Sequence, residues 1–208
     1  MLKTLVYIDG FNLYYGSLKG GPDRWLDLEG LFRKMRPHDD LQRIWYFTAL
    51  VDHRDKQKRQ RAYLEALAST PIVKVQYGLY EEKTVKCNVR GCGFTGDRKF
   101  SVPEEKKTDV NIALQMLDDA YQGVAERMVV VSGDSDLVPA ARLVKKRAPS
   151  IDVVVYVPAR DRRRGAAKEL RRSADKHRTL PQQLLPRAQF PSDVTTPSGA
   201  IVSRPSSW

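Results

Sequence analysis

The stretch Met128-Val-Val-Val-Ser-Gly-Asp-Ser-Asp136, running on into Leu137-Val-Pro-Ala-Ala-Arg-Leu-Val-Lys-Lys146, decides the fold class. Met128 to Val131 is a short apolar, β-branched run of the kind that forms a strand buried on both faces. Ser132-Gly133 turns the chain, and apolar residues at 137, 140, 141 and 144 then repeat with helical spacing. Asp134 and Asp136 therefore stand where a central strand ends and a helix begins. In open α/β sheets, ligands bind there.

Working outward, the N-terminal run Leu2 to Ile8 reads as another buried strand, ending in Asp9-Gly10-Phe11-Asn12. A carboxylate at a strand's end can bind a metal, and an amide three residues on can orient a water or a phosphate oxygen. The plainer reading is that Asp9 or Asn12 caps the next helix. After a loop over 16–27, Asp27 is placed to cap a helix from Leu28 to Met35, and 42–51 reads as an aromatic-rich strand. A basic helix over 55–68 follows, with apolar positions 63, 64, 67 and 68 on one side; Pro71 stops it, and 72–80 alternates as a third strand. Strand, helix, strand predicts a parallel sheet covered on both faces.

Residues 80–102 break this rhythm and predict a hairpin excursion. Cys87 and Cys92 within it make half of a zinc set, whereas a structural zinc site takes four ligands. Unpaired thiols at a hairpin tip are the simpler reading, and a homodimer sharing four cysteines is the alternative. Next, apolar residues at 110, 113, 114, 117, 120 and 121 predict an amphipathic helix with Thr108 as its N-cap. Asp109 then lies in the first turn, where the helix dipole favours its ionised form. Asp118 and Asp119 read as a solvated face.

Ile151 to Val157 is a further strand. Beyond it lies a densely cationic segment, Arg160-Asp-Arg-Arg-Arg-Gly165, then a helix over 166–174 and Lys176-His-Arg178. A charge run is usually a solvated face; on the rim of a sheet it serves equally as a phosphate-backbone surface. From Pro181 onward, prolines spaced among serines and threonines predict a linker or disordered tail. The expected organisation is a domain over 1–158, a basic helical extension over 159–180 and a tail over 181–208.

Composition bounds the rest. The 208 residues, 41% hydrophobic and 29% charged, suit a soluble globular domain able to bury a sizeable core. No apolar run is long enough for a membrane span, the N-terminal run is too short for a signal peptide, and two cysteines make no disulfide framework. These features predict a cytoplasmic protein with no membrane partner. A net charge of +11 raises the prior for a polyanionic partner, nucleic acid first.

Each acidic residue has a dull explanation by itself. In a doubly wound sheet, however, strand carboxyl ends and helix amino ends share one edge. Asp9, Asp109, Asp134 and Asp136 would then converge, and such a cluster raises its own pKa values unless a cation neutralises it. All-oxygen ligation suits Mg²⁺ or Mn²⁺, which can polarise a phosphodiester and lower the pKa of a bound water. No Walker or dinucleotide-binding glycine motif stands at a strand end.

Ile8-Asp9-Gly-Phe-Asn12-Leu, Glu105-Lys106-Lys107-Thr108-Asp109 and Val131-Ser-Gly-Asp-Ser-Asp136 together resemble the NYN family, the LabA-like branch of the PIN-like nucleases. The resemblance covers residues 1–158. It implies a three-layer α/β/α sandwich with a mainly parallel central sheet and metal-dependent ribonuclease chemistry. By motif position, Asp9, Asp109, Asp134 and Asp136 would form the metal site, with Asn12 in support. Many relatives carry glycine near Lys107; a lysine there could bind phosphate. The first expectation is thus an endoribonuclease, its basic residues Arg54, Lys56, Lys58, Arg162, Arg163, Arg164, Arg171 and Arg172 gripping RNA, with DNA not excluded. The alternative is a non-catalytic RNA-binding module on the same fold, which the four carboxylates disfavour. A haloacid dehalogenase-type phosphatase is weaker still, since that chemistry wants an Asp at position 11, where Phe11 stands.

Overall fold

A computed structural model describes residues 1–160 and 168–208, with the side chains of Pro103 and Lys168 excepted. Six strands form the central sheet: β1 (Leu2–Asp9), β2 (Asp39–Thr48), β3 (Val73–Tyr77), β6 (Arg127–Val131), β7 (Asp152–Val157) and β8 (Lys176–Thr179). Their order is β3-β2-β1-β6-β7-β8, and every pairing is parallel. The order runs outward in one direction from β1 and in the other from β6. The β1/β6 junction is therefore the topological switch point, where a crevice opens at the carboxyl ends of the strands.

Both faces of the sheet are covered, and alternation along each strand shows how. Val6, Ile8, Val129, Val131, Val154 and Tyr156 pack into one apolar cluster with helices α2 (Leu28–Met35) and α3 (Arg54–Ala68). Leu5, Tyr7, Met128, Val130, Val153 and Val155 pack into the other, with α4 (Thr108–Gln122), α5 (Val138–Arg147) and α6 (Lys168–Ser173). The result is the expected α/β/α sandwich. The apolar runs of β1, β6 and β7 are continuous because these strands are buried on both sides.

A two-stranded antiparallel hairpin, β4 (Leu79–Lys86) and β5 (Lys99–Lys106), stands apart from this sheet. It is longer than the expected excursion, because residues 103–106, read as an approach to the helix, are the end of its second strand. A four-residue helix, α1 (Gly10–Leu13), follows β1. Gly10 is required there: a Cβ would come within 2.7 Å of the Phe47 carbonyl oxygen and 2.8 Å of the Tyr46 ring.

Four expectations need correction. Residues 181–208 are not a disordered tail. They form a 3-10 turn (Gln182–Arg187) and a small hairpin, β9 (Asp193–Thr195) with β10 (Ile201–Ser203), folded over Trp25. The Trp25 indole N–H donates to the Pro191 carbonyl at 2.7 Å, and its ring contacts Phe190 and Trp208. A few large aromatic anchors hold a segment whose proline and serine content suggests none. Second, the basic segment 159–180 is not all helix: Lys176–Thr179 adds a parallel edge strand to the sheet. Third, the second strand begins at Asp39, not 42, and ends at Thr48. Fourth, Asp119 is buried rather than solvated, and accepts hydrogen bonds from the Tyr7 hydroxyl, the Trp45 indole and Gln115.

Candidate active site

The switch point is built from two short loops locked to each other. Asp9, 4% exposed, ends β1; its Oδ1 accepts the Asn12 backbone N–H at 2.9 Å and its Oδ2 the Asn12 amide at 2.6 Å. The other face of the Asn12 amide reaches across the sheet: its Oδ1 accepts the Gly133 N–H at 3.1 Å. Ser132, fully buried at the end of β6, donates its hydroxyl to Asp9 Oδ2 at 3.1 Å and accepts the Asp134 N–H at 3.1 Å. Asp134 in turn accepts the Asp136 N–H at 3.0 Å. Asp9 does cap the next helix, as the plainer reading held, and it also faces the loop that carries Asp134 and Asp136. Asn12 joins the two loops.

The third contribution comes from the start of α4. Burial, followed by the charges of Asp9, Asp134, Glu105 and Asp136, raises the Asp109 carboxyl to about 7. The helix dipole, which favours ionised Asp109, is outweighed. Burial also raises Asp9, against the hydrogen bonds from Asn12 and Ser132 that pull it down. All four sequence-selected aspartates thus share one electrostatic neighbourhood at the carboxyl edge of the sheet. Among the described residues, no three His, Cys, Asp or Glu groups are gathered into a ready-made metal cage. The donor chemistry still suits a hard cation: carboxylate oxygens gathered at one edge, where burial and then neighbouring negative charge raise Asp109. Mg²⁺ keeps several waters and needs only one or two carboxylates.

Glu105, Ser132 and Tyr80 join this neighbourhood without having been singled out. Glu105 accepts the Thr108 N–H at 3.0 Å, so it caps α4, and Thr108 does not. Lys107 occupies the cap position at φ 75°, and the Thr108 hydroxyl is buried without a hydrogen-bond partner among the described residues. A left-handed backbone favours glycine, so a glycine would meet this conformation with less strain than the lysine. A signal for Glu105 was present in the sequence: a carboxylate three residues ahead of a helix's first N–H is placed to cap it. Tyr80 packs edge-on against Phe11 with ring centroids 5.6 Å apart; burial and the nearby Tyr15 and Glu105 raise its hydroxyl to about 12. Beside Asn12 and Gly133, a pocket of about 280 Å³ is walled by Phe11, Tyr15, Gly16 and Pro158.

The basic candidates are dispersed. Lys107 is exposed two residues from Asp109. Arg54 and Lys58 are exposed on the first half of α3, which follows β2 and so starts on the same sheet edge. Arg172 is exposed on α6, while Arg171 is half-buried with an unpartnered Nε among the described residues. Arg162, Arg163 and Arg164 lie outside the described residues. Cys87 and Cys92 are half-buried free thiols in the β4–β5 connection. No described helix is long and apolar enough to cross a membrane.

Three comparisons bear on identity. The chain is 29% identical over its whole length, and over 75% of the relative, to a Pseudomonas putida protein named 6-hydroxy-3-succinoylpyridine 3-monooxygenase HspA. It is 27% identical to the low amplitude and bright protein LabA of Synechococcus elongatus, covering 84% of this chain and 82% of that protein. A crystal structure of a Vibrio parahaemolyticus protein of unknown function shares the fold, with a TM-score of 0.57, 19% identity and coverage of 86% of this chain and 93% of the other. The NYN domain matches residues 3–181, past the expected boundary at 158 and through the edge strand β8. The chain therefore belongs to the NYN domain family, and its fold is that family's PIN-like, nuclease-type domain.

Proposed function

We propose that the protein is a metal-dependent endoribonuclease. The observation that carries this reading is the convergence of Asp9, Asp109, Asp134 and Asp136 at the switch point of the sheet, where hydrogen bonds of Asn12 and Ser132 join the end of β1 to the Gly133 loop and where burial and the neighbouring carboxylates raise Asp109. A site that gathers acids against their mutual repulsion is organised around a cation it does not itself supply. Asp109, Asp134 and Asp136, with the accessible part of Asp9, are the residues that would hold Mg²⁺ or Mn²⁺. Bound there, the ion would polarise a phosphodiester and make a bound water more acidic. Asn12 and Ser132 keep the two loops in register, so the carboxylates do not drift apart when charged. Lys107, Arg54 and Arg172 are candidates for the phosphate backbone, which predicts salt-dependent binding.

Cleavage of labelled single-stranded RNA, structured RNA and DNA, with Mg²⁺, Mn²⁺ or EDTA, tests this directly. Metal-dependent RNA cleavage that disappears in Asp134→Asn supports it. RNA binding without cleavage by either protein moves the reading to the non-catalytic module. A second reading draws on the monooxygenase-named relative and on the aromatic-walled pocket beside Asn12. Oxygen-dependent consumption of 6-hydroxy-3-succinoylpyridine, with RNA left intact, would favour small-molecule chemistry instead.

A further inference from the structure

The β4–β5 hairpin is rooted in the carboxylate site and points away from it. Its register is uninterrupted from Leu79↔Lys106 to Lys86↔Lys99, so directly paired residues share a face. One face carries the Tyr80↔Glu105 pair at the root, the same two residues that meet Phe11 and the Asp109 neighbourhood. Following that face outward by alternation leads through Glu82 and Thr84 to the Lys86↔Lys99 pair at the tip. From Tyr80 to Lys86 the strand spans roughly 20 Å.

Two lysines placed directly opposite each other repel and destabilise a hairpin. Lys86 has no ion pair among the described residues, and the acid nearest Lys99 is Asp97 at 3.9 Å. The pair sits in a cationic half-arm: residues 83–100 contain Lys83, Lys86, Arg90, Arg98 and Lys99 against the single acid Asp97. The root is the reverse, with Glu81, Glu82, Glu104 and Glu105. On the opposite face, Phe94 folds back on Phe100 with ring centroids 5.8 Å apart. That contact ties the connection bearing Arg90 and Arg98 to the start of β5.

We propose that this hairpin is a substrate arm: single-stranded RNA leaving the carboxylate site runs along the Tyr80/Glu105 face and places backbone phosphate between Lys86 and Lys99. The unfavourable lysine pair is resolved by the phosphate, as the acidic cluster at the root is resolved by a cation. The inference rests on the ribonuclease reading for its choice of RNA. It adds that substrates must be long enough to reach from the root to the tip.

The test uses the full chain carrying Asp134→Asn, so that binding is read without cleavage, and compares it with the same chain also carrying Lys86→Glu. That change converts the repelling pair into an ion pair, so it should strengthen the hairpin while removing the phosphate site. The expected result is about 10-fold weaker binding of a 20-nucleotide single-stranded RNA and a salt dependence shallower by about 0.7, corresponding to one lost phosphate contact. Binding of a dinucleotide, too short for the tip, should not change. Unchanged affinity for the long RNA, or tighter binding of the matching single-stranded DNA, overturns the proposal. A protein that never cuts RNA but loses long-RNA binding on Lys86→Glu leaves the arm standing and removes only the nuclease reading. Absence of RNA binding in both chains removes both.

Discussion

The two edges of the central sheet treat their carboxylates in opposite ways. At the amino edge, Asp39 starts β2 and accepts hydrogen bonds from Arg36 at 2.8 Å and Arg127 at 2.6 Å; Arg127 also reaches Asp152 at 2.7 Å. Burial alone would raise the Asp39 carboxyl, but these two guanidinium groups hold it below its ordinary value. At the carboxyl edge, Asp9, Asp109, Asp134 and Asp136 have one another and Glu105, and Asp109 rises to about 7. The sheet pairs acids with arginines where structure is at stake and leaves acids facing acids at the switch point. Uncompensated charge at one end, in a protein that compensates it at the other, is what marks the site.

That contrast can be broken most decisively at the carboxyl edge. Asp134→Asn should lower metal-dependent RNA cleavage by at least about 100-fold while leaving the urea midpoint unchanged or higher. A large loss of stability with retained cleavage would erase the distinction between the edges. At the amino edge the effect should reverse: Arg127→Ala leaves buried Asp39 with Arg36 alone of its two arginines, takes a partner from Asp152, and should cost about 2 kcal/mol in urea unfolding. Full stability in that variant would mean that the amino-edge network contributes nothing.

The pH dependence sharpens the comparison, because the two shifts have opposite signs. Asp109 keeps its proton to about pH 7 in the folded state, whereas the unfolded chain loses it near pH 4. Its contribution is therefore fully present below about pH 4 and is lost as pH rises toward 7. Asp39, held low, contributes stability above about pH 4 that is lost as pH falls through its folded value. Thermal melts from pH 3 to 8 should show Asp109→Asn flattening the neutral limb alone. Added Mg²⁺ or Mn²⁺ should raise the Tm of the wild type at pH 8 and leave Asp109→Asn unmoved. The smallest expected effect is at Lys107, whose φ of 75° suits glycine: Lys107→Gly should stabilise by about 1 kcal/mol. Loss of stability there would show that the lysine side chain offsets its backbone strain.

Legibility followed burial pattern. The strands around Val6, Val129 and Val154 were readable because runs buried on both faces are continuous in sequence, and α2 was readable from Asp27 at its cap through Met35. Edge strand β8 was not, since Lys176–Thr179 is exposed and cationic and joins the sheet by backbone pairing with β7 and an ion pair from Lys176 to Asp152. The folded C-terminal segment was missed for a related reason: its stability comes from Phe190 and Trp208 meeting Trp25, a contact between distant residues that local composition does not encode. Within the site, the aspartates were readable as strand ends and a helix start. Ser132 was not, because it acts on Asp9 across 123 positions of sequence, whereas the capping role of Glu105 is local and its signal was passed over.

The sequence by itself determined the sheet's buried strands, the placement of Asp9 and Asp134 at strand ends, and a strongly basic chain, since these follow from local periodicity and composition. Only the tertiary structure decided that β1 and β6 lie side by side, so that Asn12 can bind the Gly133 backbone across 121 positions of sequence. It also decided that one edge pairs its acids with arginine while the other leaves them in mutual repulsion. Charge is a property of residues, but the cost of charge depends on what surrounds it, and folding decides the surroundings.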